Sequence, residues 1–157
     1  MVAPDPLSAV ASAIALIQTC KAIATFVVNF IRATGTEGIE ALQMEVASLS
    51  IQLRAVEKKC KEASGPSPSF NLEEHILNWI LVVLSRCKVM LTKLDGIIDE
   101  FRGYDDTKLG RFKSNIRQAL RSSDVQDLQD EMAKYRQYLH FYMTLVNGYI
   151  YRTYVFC

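Results

Sequence analysis

Residues 6–31 read PLSAVASAIALIQTCKAIATFVVNFI, twenty-six residues with a single charge, Lys21. An ordinary surface helix carries a wide polar face, and this stretch has none. Ser, Thr, Gln and Asn interrupt it too often for a comfortable membrane span. Such a segment is either sheathed by other helices or able to leave them. Asp5 is a good N-cap and Pro6 suits the first helical position, so a helix starts there. It ends at Ala33-Thr34, with Gly35 as the left-handed residue that terminates helices. Val10, Ile14, Ile17, Ala24, Val28 and Ile31 form one apolar stripe; Leu16, Cys20, Ile23, Val27 and Phe30 form a second. Ser8, Ser12, Ala15, Thr19 and Ala22 make a thin small-residue side, which permits close helix approach in water and in lipid alike.

Working outward, Thr36 is placed to cap a second helix. Along it Ile39, Leu42, Val46, Leu49, Leu53, Val56 and Cys60 alternate spacings of three and four, the mark of an amphipathic helix. Ser64-Gly65-Pro66-Ser67-Pro68-Ser69 is a loop. Asn71 with Glu74 reads as the start of a third helix. That helix carries Ile76, Ile80, Val83, Cys87, Met90, Leu94, Ile97 and Phe101 on one stripe and Leu77, Leu84, Leu91 and Ile98 on another. Two adjacent stripes predict more than one neighbour. Gly103 ends it. A shorter helix over about Lys108–Leu120 shows Leu109, Phe112, Ile116 and Leu120 on one side. Ser123 with Gln126 opens a last long helix with Val125, Leu128, Met132, Tyr135, Leu139, Tyr142 and Val146 in register. No strand alternation is expected before the aromatic end, Tyr149 to Phe156. The predicted fold is all-α, an antiparallel bundle of four long helices and one short one. Residues 1–148 form the domain and 149–157 a C-terminal tail, read as the ending of a stand-alone module or a truncated product.

The chain has 157 residues, half of them hydrophobic, enough for one domain with a real core. A formal charge of +1 supplies no electrostatic footprint for nucleic acid. Cys20, Cys60, Cys87 and Cys157 share no metal or disulfide spacing, which points to a reducing, cytoplasmic compartment. An acid and two prolines stand where a signal peptide needs a basic region.

Catalytic furniture is sparse. His75 and His140 have no Glu three residues before them, as a di-iron bundle requires. No phosphate loop, nucleophile elbow or metal cluster appears, so neither catalysis nor any cofactor or metal is expected. Lys108, Arg111, Lys113, Arg117 and Arg121 sit opposite an apolar face with no acid among them. Such a helix suits lipid headgroups. Equally, it suits a solvated face paired with acids of the last helix. The tyrosine run of Tyr135, Tyr138, Tyr142, Tyr149, Tyr151 and Tyr154 has too few cations for a stacking platform and reads as packing. Trp79 reads as a core or groove anchor.

Asp5-Pro6-Leu7-Ser8 before a small, apolar helix, and Glu45-Val46-Ala47-Ser48-Leu49-Ser50 on a heptad helix, resemble a large fungal family. So do Leu84 to Leu94 with Cys87, Arg111-Phe112-Lys113 leading into Ser123-Asp124-Val125-Gln126-Asp127-Leu128, and Leu139 to Val146. These resemble the HeLo-like N-terminal domains of fungal NOD-like receptors (STAND proteins) and related ankyrin-repeat proteins, over about residues 4 to 147. The resemblance implies a helical signalling or cell-death module that targets membranes through its first helix. Relatives often carry a tryptophan in the basic helix, which this chain lacks, and in them nucleotide-binding and repeat domains usually follow.

The resulting expectation is a non-enzymatic effector domain that assembles as a homo-oligomer or with the homotypic domain of a related receptor. On activation it engages a membrane through Val10, Ile14, Leu16, Ile17, Ile23, Val27 and Phe30. The alternative is a helical protein-interaction adaptor with no membrane activity.

Overall fold

The computed structural model describes residues 4–66 and 72–155. Six helices and no strand occur among them: α1 Pro6–Thr34, α2 Glu40–Ser64, α3 Glu74–Asp99, α4 Asp106–Arg111, α5 Lys113–Leu120 and α6 Ser123–Val155. The all-α class is as expected. The aromatic end is not strand-like, because α6 runs on to Val155.

Helix α1 begins as its sequence dictates. The Asp5 carboxylate accepts from the Leu7 N–H at 3.0 Å, with Pro6 in the first turn. Gly35, at φ 95°, ends the helix in a conformation that disfavours a Cβ, and its N–H donates to the Ile31 carbonyl at 2.7 Å. Thr36 does not cap α2. A turn intervenes, closed by Ile39 N–H on the Thr36 carbonyl at 2.9 Å, with Gly38 at φ 76°. The Glu40 carboxyl is held below its ordinary range first by its own backbone N–H and then by the Thr36 side chain. The proposed cap at Asn71 lies outside the described residues, and α3 starts after Glu73.

The expected short helix over Lys108–Leu120 is two helices. Asp105 accepts from Lys108 N–H at 2.8 Å to start α4, and Phe112, at φ −102° and ψ 17°, breaks the chain before α5. Phe112 then packs its ring on Tyr104, which also meets Phe101. At the head of α6 the capping hydroxyl belongs to Ser122, one residue earlier than expected; its Oγ accepts from Val125 N–H at 3.3 Å.

Helices α1 and α6 each lie along both α2 and α3, so the four long helices close a ring around one core; α4 leans on α1. Every α2 heptad position from Ile39 to Cys60 is buried, and so are Leu77, Leu84, Leu91 and Ile98 of the second α3 stripe. Ile97 and Phe101 are only partly buried, Phe101 lying in the turn beyond α3. No polar or charged residue is buried among the described residues. Burial of apolar side chains, at about 25 cal/mol per Å², is therefore the dominant stabilising force.

Candidate functional site

Helix α1 resolves its own ambiguity by packing. The buried line is Ala9, Ala13, Leu16, Cys20, Ile23, Val27 and Phe30, alternating four and three residues, so it forms a coiled-coil-like seam. Small residues at Ala9, Ala13 and Cys20 let α2 and α3 approach. The stripe containing Val10, Ile14, Ile17, Ala24, Val28 and Ile31 is not a second seam. Val10 is buried, Ile17, Ala24 and Ile31 are half-buried, and Ile14 and Val28 are exposed. Of the small-residue side, Ser12 and Thr19 are half-buried, while Ser8, Ala15 and Ala22 face water.

The exposed side of α1 is less polar than its letters suggest. Thr19 and Thr25 turn their hydroxyls back onto the carbonyls of Ala15 and Lys21, at 3.2 and 2.8 Å. A hydroxyl satisfied within its own helix needs no water. Leu7, Ala11, Ile14, Ala15, Ala22 and Val28 share that exposed side with Gln18, Asn29 and only two charges, Lys21 and Arg32. By length and composition both α1 and α3 are apolar enough to cross a membrane, and only 33% of the relevant α1 window is buried.

The basic segment divides between two tasks. Arg117 is largely buried, with its guanidinium at the C-terminal end of α1. Nη2 donates to the carbonyls of Thr34 and Gly35 at 3.2 and 3.4 Å and to the Thr34 hydroxyl at 3.3 Å. Its Nη1 meets Glu37 at 3.4 Å, and the guanidinium carbon lies 5.7 Å from the Phe30 ring centre. Cation, helix dipole and ring all favour that position. Its Nε has no acceptor, a cost the other contacts offset. Arg121 packs on the same connection, close enough that a Cβ on Gly38 would come 2.8 Å from its Nε. Lys108 lies over the Tyr104 ring at 5.5 Å. Arg111 and Lys113 are exposed, and none of Lys108, Arg111, Lys113 and Arg121 has a carboxylate partner among the described residues. Pairing with acids of the last helix is therefore not what holds this segment; Arg117 pairs with the α1–α2 turn.

Sequence reasoning missed the role of Arg117 because its partners are 80 to 83 residues away. Trp79, read as a core or groove anchor, is not in the core: it is 46% exposed, stacked on Tyr142 at 5.9 Å with His75 edge-on at 5.2 Å. His140 meets Gln52 at 3.5 Å. No group of acids, histidines and cysteines able to hold a metal occurs among the described residues. Cys20, Cys60 and Cys87 are unpaired and buried, and burial pushes their thiols up to about 12, 11 and 12.

Comparison with protein-family models, with curated proteins and with solved structures gives no match. The site must be interpreted from its own chemistry.

Proposed function

We propose that the four long helices form a bundle of mixed sense that works as a non-enzymatic signalling domain of the HeLo-like kind, in the cytoplasm. Activation is homotypic assembly, and α1 then leaves its seam to engage a membrane. The output is of the type linked to programmed cell death or heterokaryon incompatibility. The bundle topology rests on pair order. Glu45 with Arg136 and Gln52 with His140 advance together along α2 and α6, as parallel neighbours do, while Trp79 with Tyr142 and Ile97 with Leu128 run in opposite senses along α3 and α6; this order favours a bundle of mixed sense over the all-antiparallel one expected.

The observation that carries the functional reading is the exposed side of α1. A helix of 29 residues with only two charges and internally satisfied threonines exposes few groups that must keep water. Lys21 makes spanning by a lone copy costly, which is why assembly belongs to the reading.

Dye release from phosphatidylserine-containing vesicles, with sedimentation velocity on the same samples, tests it. Acids at Leu16 or Ile23 would unfold the bundle, since both are buried in the seam. Ile14→Glu is the better variant, because Ile14 is at the surface. Wild type should release dye and form oligomers, and Ile14→Glu should release far less while remaining folded. A folded wild type that binds a helical partner but releases no dye would be the adaptor instead.

A further inference from the structure

Arg121 is an unanswered cation at the junction of α5 and α6. It packs on the turn at Gly38 and has no carboxylate partner among the described residues. With Ser114, Arg117, Gln118 and Ser122 it lines an open hollow of about 590 Å³, and no acid contributes to that lining. Residues 114, 117, 118 and 121 are spaced three, four and seven apart, so one face of α5 and its last turn presents them together. Two further observations single out this hollow. Arg117 Nε is the one buried side-chain donor without a partner among the described residues, and such an orphan calls for an ion or water beside it. Ser122 caps α6, so the positive end of a 33-residue helix lies at the same place.

The acids nearby are engaged elsewhere. Glu37 meets Arg117 Nη1 at 3.4 Å, and the Glu40 carboxyl is held by its own N–H and Thr36. Asp124 lines a separate groove between α3 and α6, with Glu100, Asp127 and Glu131. Setting Glu37 against Arg117 leaves Arg121 in excess. We infer that this hollow binds a phosphate monoester. The Arg121 fork matches two phosphate oxygens. The Ser114 and Ser122 hydroxyls and the Gln118 amide supply neutral donors, Ser122 Oγ being free to donate while it accepts from Val125 N–H. A carboxylate offers two oxygens and a phosphodiester two unbridged ones; a monoester offers three and up to two charges. The volume exceeds a phosphate group and leaves room for whatever bears it. A soluble phosphate ester and a lipid headgroup ending in a monoester carry the same chemistry. The site stands whether or not α1 leaves the bundle.

Amide chemical shifts of the full chain titrated with glycerol 3-phosphate test it. A parallel arm is co-sedimentation with phosphatidylcholine vesicles holding phosphatidic acid or, at matched surface charge, phosphatidylglycerol. Arg121→Ala removes the free cation, and Ser114→Ala/Gln118→Ala removes two neutral donors without changing charge. Arg111→Ala is the control, an exposed cation of the same segment outside the hollow. Circular dichroism checks that each variant folds; if Arg121→Ala does not, the neutral variant decides. Wild type should bind glycerol 3-phosphate saturably, with shifts grouped over residues 114–122. Arg121→Ala should bind about tenfold more weakly, the neutral variant about threefold, and Arg111→Ala as wild type does. The same pattern on phosphatidic acid vesicles alone, with no response to glycerol 3-phosphate, keeps the site and makes its source a lipid headgroup. Binding weakened as much by Arg111→Ala as by Arg121→Ala, or unchanged in the neutral variant, is attraction to charge alone and overturns the inference. Equal binding of the two lipids without a response to glycerol 3-phosphate overturns it too, as does no binding of either probe.

Discussion

Arg117 on α5 donates to the Thr34 carbonyl at 3.2 Å and so closes the end of α1 from across the fold. One side chain thereby ties the exposed helix to the bundle. Arg117→Ala frees the last carbonyls of α1 and removes a cation from the negative end of its dipole. The expected loss is about 1–3 kcal/mol by urea denaturation. Faster amide exchange should be confined to the last turns of α1. Arg117→Lys keeps the charge but not the planar fork or the stacking on Phe30, so it should restore only part.

Ile23 and Ile14 are the same residue type on one helix, yet Ile23 is fully buried and Ile14 is at the surface. Ile23→Ala should cost about 2–5 kcal/mol. Ile14→Ala should cost within about 0.5 kcal/mol of nothing. Thermal unfolding resolves the difference, since 1 kcal/mol shifts Tm by roughly 2–4 °C at this size.

How far the fold was legible follows from these helices. In α2 the apolar residues fall on one heptad line with charges elsewhere, so periodicity alone picked the buried set. In α1 two stripes are equally apolar, and periodicity could not choose between them. Packing chose the line through Ala9 and Ala13, whose small side chains admit neighbouring backbones. The break at Phe112 comes two residues after Gly110, the weakest helix former of the segment, and the Phe112 ring packs on Tyr104 there. The Arg117 contact is invisible to any local pattern, since it joins α5 to the α1–α2 turn.

The buried thiols set an alkaline limit. Cys20 and Cys87 are pushed up to about 12 and Cys60 to about 11, from an ordinary 9.0. Below about pH 9 both folded and unfolded states keep these protons, and the stability is fully present. Above it the unfolded chain loses protons that the folded one retains. Stability should therefore fall as pH rises from about 9 towards 11–12, by about 1.4 kcal/mol per pH unit for each thiol. Denaturation midpoints across that range, in wild type and Cys20→Ala, check the sign. Native alkylation of these three cysteines at neutral pH should be slow by the same cause.

Gly38 holds φ at 76° in the α1–α2 turn, against Arg121. Gly38→Ala forces a Cβ into the left-handed region and displaces the Arg121 side chain. The expected cost is about 1–2 kcal/mol, measured by urea denaturation, whereas Gly110→Ala, inside α4 with open space around it, should be neutral or stabilising.

The central claim is that α1 is held in the bundle in the resting protein and released to act on a membrane. Dye release from phosphatidylserine-containing vesicles, comparing wild type with Arg117→Ala at equal bound protein, tests it most directly. Wild type should release dye and Arg117→Ala should release it faster, because the end of α1 is no longer held. Two folded, vesicle-bound proteins that release no dye, or an Arg117→Ala variant no faster than wild type, would contradict it.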